Sequence, residues 1–358
     1  MTTAGEVTQQ YETWLASRIR IDAADLARKH EEMRADTFRF LRGTYYLWLV
    51  RIPELAPEAL AGTRVPLVGD LHVDNFGTWT DEQGVRRWGV NDLDELARGP
   101  WLLDLLRIAV SALVAPHVGL GSKKVCRAVL DAYAEADPGQ ALDLADTGRA
   151  RRLRELLPKA ADAEKFYADL AGEPLADVPA EVAAAAAMVA PDGWEPTWHH
   201  RVAGTGSLGH RRRAGVGTAA DGATYAREVK ELGPPTAEWA SGRDPRLPVP
   251  DDALYPAVLT TVAGPAQAMR AADWQVRALA PDIVRLDLGK LDEKGVRRAL
   301  REMARAAAGV HATERARWRA ARHEASSLRP KDFREMVGAL VEAVRADHAE
   351  FTEHRQPT

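Results

Sequence analysis

The sequence predicts an α+β protein in which a small β-rich block interrupts a mostly helical chain. Two patterns lead to this fold class. Apolar residues recur at helical spacing from Leu102 to Leu113 and again from Val296 to Val310. Between them, residues 198–231 are typical of strand, glycine turn, strand, Asp-Gly turn and strand. A length of 358 residues favours two domains or one large two-lobed domain.

The composition argues against several classes of protein. The 48 Lys and Arg residues nearly balance the 52 Asp and Glu residues, which argues against a general nucleic-acid-binding protein. No apolar run reaches the ~18 residues of a membrane span, and Met1–Gln10 lacks the pattern of a signal peptide. The single Cys126 excludes an internal disulfide and is expected to be inert core. We therefore expect a cytoplasmic protein that partners neither nucleic acid nor membranes.

Each element follows from periodicity and from turn residues. In the N-terminal half we predict two helices over 11–51, an edge strand at 64–68, a loop at Gly69–Gly77, a hairpin returning over Arg86–Asn91, and helices from Trp101 to about residue 190. In the C-terminal half we predict the strands of 198–231, a proline-containing loop, a helix over 255–279, and further helices to the end.

A first group of polar residues suggests an active site. Asp70, His72 and Asn75 lie in one predicted loop, and Asp92 and Asp94 follow the return strand of the hairpin. Each segment alone could be a solvated turn. Because a hairpin would bring the two together, and because clustered carboxylates repel one another without a cation, a Mg²⁺-linked site is the better interpretation. A binuclear metallophosphoesterase also begins with Asp-x-His, but its further histidine motifs are missing after residue 77.

A second group lies in the β-rich block. Gly204, Gly206, Ser207 and Gly209 belong to a G-x-G-x-x-G motif, which alone is a weak signal. Strands are predicted on both sides of it, which favours a loop over ATP phosphates rather than a dinucleotide site. Lys230 ends the next strand and would reach these phosphates, although a single lysine is more often a solvated side chain.

Together these motifs resemble the protein-kinase-like superfamily, in particular the aminoglycoside phosphotransferase and choline kinase branch. The resemblance implies that Asp70 orients the acceptor hydroxyl and that His72 is a structural member of the catalytic loop. It implies Asn75 and Asp92 as Mg²⁺ ligands, with Asp94 assisting the metal or the substrate. Asp104 matches an Asp that braces the catalytic loop through backbone N–H groups, or it is simply the polar side of its helix.

The order of the motifs is reversed relative to kinases, and a circular permutation would explain this. With Phe40–Gly43 and Gly99–Trp101, the layout is similar to a bacterial family designated domain of unknown function 2252. The helix ending near His311 would then be the one that normally precedes the catalytic loop. The resemblance implies a permuted, bilobal kinase-like fold with three parts: 1–196, a helical lobe with the catalytic and metal loops; 197–290, a β-rich nucleotide lobe; and 291–358, helices returning to the helical lobe.

Two features depart from the kinase pattern. Glu228 stands two residues before the lysine, where kinases have a small residue lining the adenine pocket. The helix predicted over 255–279 has no Glu to pair with Lys230, and Asp273 is its only acid. The resemblance still implies a phosphotransferase that uses Mg²⁺ with ATP or another nucleotide on an unknown small-molecule or protein acceptor, nucleotidyl transfer being left open. The alternative is a non-catalytic nucleotide-binding regulatory module.

Overall fold

A computed structural model describes residues 2–81, 83–201, 210–263 and 268–353. The predicted glycine loop, with Gly204, Gly206, Ser207 and Gly209, lies outside the described residues. Helices and strands are both present, as predicted, and helix is the larger share.

Short helices open the chain where two long ones were predicted. They are α1 (Ala4–Ala16), α2 (Ala23–Ala35), α3 (Thr37–Gly43) and α4 (Tyr45–Leu55). The prediction of two helices over 11–51 is therefore wrong. The breaks come from side-chain caps, because Asp22 accepts hydrogen bonds from the Ala24 and Asp25 amides and Asp36 accepts one from the Arg39 amide.

The hairpin that carries the first group of polar residues is present as predicted. The hairpin is formed by β2 and β3, which belong to a small antiparallel sheet of order β2-β3-β5, and a second small antiparallel sheet has the order β1-β4-β9. The strands are β1 (Arg64–Leu67), β2 (Phe76–Thr80), β3 (Arg86–Val90), β4 (Ala97–Pro100), β5 (Leu142–Asp143) and β9 (Val249–Pro250). Strand β1 lies at an edge, as the proline within it requires. The register pairs Phe76 with Val90, so the polar loops before β2 and after β3 lie side by side.

A five-stranded antiparallel sheet, of order β10-β11-β8-β7-β6, forms the predicted β-rich block. Its strands are β6 (Glu195–His200), β7 (Arg212–Thr218), β8 (Thr224–Glu231), β10 (Ala268–Ala271) and β11 (Trp274–Leu279). Lys230 is opposite Gln275, and Glu228 is opposite Arg277. Because side chains alternate along a strand, these four share one face of the sheet, here called the inner face.

The helix predicted over 255–279 is wrong. The described chain forms a short helix α11 (Leu254–Val258) that passes into a π-helical stretch (Leu259–Ala263), followed by the β10–β11 hairpin. Residues 274–279 form a strand because their side chains alternate between two faces. Trp274 and Val276 are buried in the outer face of the sheet, and Gln275 and Arg277 lie on the inner face.

The remaining helices surround one large hydrophobic core and two satellite clusters. They are α5 (Leu102–Val114), α6 (Ser122–Ala134), α7 (Arg149–Arg154), α8 (Ala163–Ala171), α9 (Ala180–Met188), α10 (Thr236–Ser241), α12 (Glu293–His311), α13 (Arg315–Ser327) and α14 (Pro330–Glu353). Helices α5, α6, α12 and α14 supply much of the large core, in which Cys126 is buried as expected. Helix α9 packs on the outer face of the five-stranded sheet, and α8 packs on its inner face. The three-part division of the chain stays a prediction.

Candidate functional site

A cleft of about 670 Å³ lies between the inner face of the five-stranded sheet and the loops at 69–75 and 91–95. Its size is that of a small-molecule or cofactor site. The predicted site residues within the described chain all line it, namely Asp70, His72, Asn75, Asp92, Asp94 and Lys230. Residues from the two halves of the sequence therefore share one cavity.

The loop at 69–75 is held in place by Gly69 and by the buried carboxylate of Asp104. Gly69 has a positive φ of 92°, and a Cβ there would lie 2.4 Å from the Glu95 carbonyl oxygen, so only glycine allows the two loops to touch. Asp104 is fully buried and accepts hydrogen bonds from the Val68 and Gly69 amides at 2.8 and 3.1 Å. The predicted bracing role of Asp104 is confirmed.

The brace continues into the C-terminal helices. The His311 Nε2 lies 3.1 Å from Asp104 Oδ2, the oxygen that also accepts from the Val68 amide, and the His311 Nδ1 lies 2.7 Å from the Tyr133 hydroxyl. Helix α12 therefore ends against the start of the polar loop, which is where the permuted layout would place it.

The Asp70 carboxylate is anchored from below by Arg107. The guanidinium, only 1% exposed, donates from Nε at 3.0 Å and from Nη2 at 2.5 Å to the same oxygen, Oδ1. It also donates to the Leu41 carbonyl and lies over the Tyr45 and Trp48 rings. Burial raises the pKa of Asp70, and Arg107 opposes this shift. The other oxygen, Oδ2, accepts no hydrogen bond from the described residues and lies 4.0 Å from the His72 Nε2.

His72 behaves as a neutral, structural side chain. It is 5% exposed, and its ring packs edge-on against Phe38. Burial, with help from Arg42 and Arg107, holds its pKa well below the usual range. The ring is therefore uncharged at neutral pH, which agrees with a structural rather than a proton-transferring role.

Asn75 and Asp92 present oxygen atoms to the same part of the cleft. The Asn75 amide nitrogen donates to the Asp70 carbonyl at 2.6 Å, which leaves its Oδ1 as the outward atom. The Asn91 backbone amide donates to the Asn75 backbone carbonyl at 2.7 Å. Asp92 is the next residue in the chain and therefore lies close to Asn75. Burial alone would raise the pKa of Asp92, but Lys230, Arg277, Arg212 and Arg285 together lower it. The carboxylate is therefore ionised.

The Asn75 and Asp92 oxygens suit a hard cation that is also coordinated by a phosphate. One amide and one carboxylate oxygen match the few protein ligands that Mg²⁺ takes when it also binds phosphates and water. Among the described residues, no three His, Cys, Asp or Glu side chains are grouped to hold a metal by themselves. The residues present therefore fit Mg²⁺ brought with a nucleotide better than a resident metal.

Lys230 pairs with Asp94 across the cleft. Its ammonium contacts one Asp94 oxygen, and the Gln275 amide donates to the other at 3.0 Å. Gln275 also donates to the Tyr255 hydroxyl at 3.0 Å. Lys230 is 6% exposed. The carboxylate partner that sequence reasoning sought on a following helix is thus Asp94, one of the predicted metal ligands, and both of its oxygens are engaged.

Glu228 is fully buried on the inner face and accepts hydrogen bonds from three arginines. Arg277 donates from Nε at 2.6 Å, Arg201 from Nε at 2.5 Å, and Arg212 from Nη1 at 2.9 Å. Burial would raise the pKa of Glu228, but these guanidinium groups hold it far below its usual range. All three arginines line the cleft. Sequence reasoning missed Arg201 and Arg277 because no local motif marks them, whereas Arg212 belongs to the run Arg211–Arg213, which could meet phosphates or form a solvated face.

Further charged side chains surround the polar loop. Arg42 lines the cleft and donates to Asp74 at 3.0 Å. Arg285 also lines the cleft and makes no ion pair with any described residue. Glu95 accepts hydrogen bonds from the Thr236 amide and hydroxyl, and burial raises its pKa to about 7. Sequence reasoning noted Arg42 only as a family feature and missed the other two.

The fold and the cleft define a mixed α+β protein in which the cleft has an acidic loop wall and a basic sheet wall. Residues 20–143 match the model of a family described as an uncharacterized protein conserved in bacteria (DUF2252). The predicted resemblance to this family is confirmed over that part of the chain, which contains Asp70, Asn75, Asp92 and Asp94. Comparisons with curated proteins and with solved structures found no significant match. None of the described helices is both long and apolar enough to span a membrane.

Proposed function

We propose that this protein is a phosphotransferase that uses a Mg²⁺-bound nucleotide, with a circularly permuted kinase-like fold. One observation carries the proposal. Lys230 and Asp94, 136 residues apart in sequence, meet across the cleft, and Asp94 is two residues from Asp92. Two groups of residues that resemble the two halves of a kinase site therefore face each other in one cavity.

The order of elements around the cleft supports the same proposal. Lys230 lies on β8, the strand that follows the glycine motif and β7, as the phosphate-binding lysine does in protein kinases. On the opposite wall, the loop with Asp70 and Asn75 precedes β2, and Asp92 follows β3. If the original ends of a kinase-like chain are joined and the chain is opened between the segments that form the two walls, the order of elements becomes the one found here.

The chemistry follows from the positions of the side chains. An acceptor hydroxyl would approach the free Oδ2 of Asp70, which orients it and takes its proton as the new O–P bond forms. The bond to the leaving nucleoside diphosphate breaks in the same displacement. Mg²⁺ bound by Asn75 and Asp92 would neutralise phosphate charge. Lys230 and Arg285, which both line the cleft, supply further positive charge.

A second candidate function is nucleotide binding without turnover. It is favoured by one contact, since Arg107 engages Asp70 through two nitrogens and keeps that carboxylate tied to the core. It is also favoured by Glu228, which fills a position that is small in kinases. A turnover assay on a protein that binds nucleotide separates the two functions.

The test is nucleotide binding by the full chain, measured by calorimetry with and without Mg²⁺. We expect ATP or another nucleotide to bind, and we expect Asp92→Asn to remove the Mg²⁺-dependent part of the affinity. Asp332→Asn, a change of the same kind at a half-buried position on α14 that does not line the cleft, should leave nucleotide binding unchanged. Nucleotide binding that is equal with and without Mg²⁺, or untouched by Asp92→Asn, would contradict the proposal.

A further inference from the structure

We propose that Arg201 and Arg277 form an anion site on the inner face of the sheet, which binds phosphate groups where the kinase resemblance would place a nucleobase. The inference deepens the proposed function and builds on it, because it concerns a ligand of the same cleft. It replaces the adenine pocket expected beside Glu228 with a second phosphate pocket.

The hydrogen bonds of the two arginines leave their terminal nitrogens free. Each reaches Glu228 through Nε alone, at 2.5 Å for Arg201 and 2.6 Å for Arg277. Within the described residues, no carboxylate or carbonyl accepts from the Nη groups of either side chain. A guanidinium carries five N–H donors, so each arginine keeps four for a ligand. Both side chains line the cleft and are about a fifth exposed.

The positive charge around Glu228 also favours a bound anion. Glu228 contacts three guanidinium groups and is 1% exposed behind them, and Asp92 adds a second, more distant negative charge, so positive charge remains in excess. Buried like charges repel and lose hydration, so an excess of this kind is stabilised by a bound counter-charge. Guanidinium groups match phosphate oxygens geometrically because two parallel N–H bonds can form.

The spacing separates this site from the Lys230 site. Glu228 and Lys230 are two residues apart on the same face of β8, which is ~7 Å along the strand. The two positions are therefore far enough apart to bind different phosphate groups, for example non-adjacent phosphates of one ligand, or a nucleotide phosphate and an acceptor phosphate. The site would therefore hold either the far phosphates of a nucleotide or a phosphate on the acceptor.

The probe for the test is inorganic pyrophosphate, titrated into the full chain without Mg²⁺. We expect binding that weakens at high salt, and we expect Arg201→Gln and Arg277→Gln each to weaken it about tenfold or more. Arg345→Gln, which removes an exposed arginine on α14, should leave the affinity within about twofold of the wild type. If Arg277→Gln does not fold, Arg277→Lys tests the same point by keeping the charge and losing the fork of donors.

A second titration, in the presence of saturating Mg²⁺ and ATP, separates the two sources of phosphate. Competition identifies the phosphates of the nucleotide, and continued pyrophosphate binding identifies an acceptor phosphate; both outcomes support the site. Absence of pyrophosphate binding, or affinity unchanged in both arginine variants, overturns it. The first titration contains no Mg²⁺, so a failure of the Mg²⁺-dependent nucleotide binding expected for the proposed function and a failure of the arginine site give different results.

Discussion

The two walls of the cleft carry opposite charge and are built in different ways. The acidic wall comes from two loops of one hairpin, with Asp70, Asn75 and Asp92 inside 23 consecutive residues. The basic wall comes from separate strands, whose register brings Arg201, Arg212 and Arg277 to one carboxylate. Local sequence fixes the first wall, and strand pairing assembles the second. A ligand of this cleft is therefore expected to be anionic, with its cation on the acidic side.

The largest expected effect concerns the acidic wall. Asp70→Asn removes the proposed proton acceptor, so turnover should fall by about 10²–10⁴-fold while nucleotide affinity stays close to the wild type. Steady-state rates and calorimetry on the same preparation measure the two quantities. Asp332→Asn is the matched control. Full turnover by Asp70→Asn would show that Asp70 is not the proton acceptor, whereas a wild-type protein that binds nucleotide without turnover would favour the second candidate function.

Two substitutions compare the buried charges that pair with the acidic wall and with the basic wall. Arg107→Met removes the buried cation under Asp70, and Glu228→Gln removes the buried anion under the arginines. Each should lower the free energy of unfolding by about 3–5 kcal/mol, because a buried charge loses its partner. Urea unfolding measures both changes.

Added pyrophosphate distinguishes the two walls in these variants. It should restore stability to Glu228→Gln, because the anion replaces the lost carboxylate, and it should not restore Arg107→Met. Equal rescue of the two variants, or none in either, would mean that the basic wall is not an anion site.

A smaller effect is expected at His210, at the end of the basic wall. Burial, followed by the nearby Lys29, lowers the pKa of His210 to about 4. Between pH 6.5 and 4 the unfolded chain binds a proton that the folded chain does not, so this stability is present above pH 6.5 and is lost as the pH falls.

The check is urea unfolding at pH 7 and pH 4.5. His210→Gln should make the loss of stability on acidification smaller by about 2 kcal/mol. His200→Gln, at an exposed position of β6, should lose as much stability as the wild type. If both variants follow the wild type, His210 is not held neutral by its surroundings.

The sequence predicts the acidic wall well, for a physical reason. Short polar residues at the ends of two strands of one hairpin must lie together. The resemblance to kinases implied Asp104 under the loop, with the polar side of its helix as the alternative. The hairpin, the strands of 198–231 and the long C-terminal helices were also predicted. They depend on periodicity and on local turn residues.

The basic wall could not be predicted in this way. Arg201 and Arg277 are two among 48 Lys and Arg residues, and only the pairing of Arg277 with Glu228 singles one of them out. The partner of Lys230 was missed because residues 255–279 were assigned to a helix, although Trp274 to Leu279 alternate as a strand. Asp94 was then assigned to the metal rather than to the lysine. Strand register is the piece of information that the sequence alone does not provide.

The most direct test of the account is a crystal structure of the full chain with Mg²⁺ and a non-hydrolysable nucleotide analogue. The account predicts Mg²⁺ about 2.1 Å from oxygens of Asn75 and Asp92, with the Lys230 ammonium on a phosphate of the same nucleotide. A nucleotide bound away from this cleft, or a metal that contacts neither Asn75 nor Asp92, would contradict it.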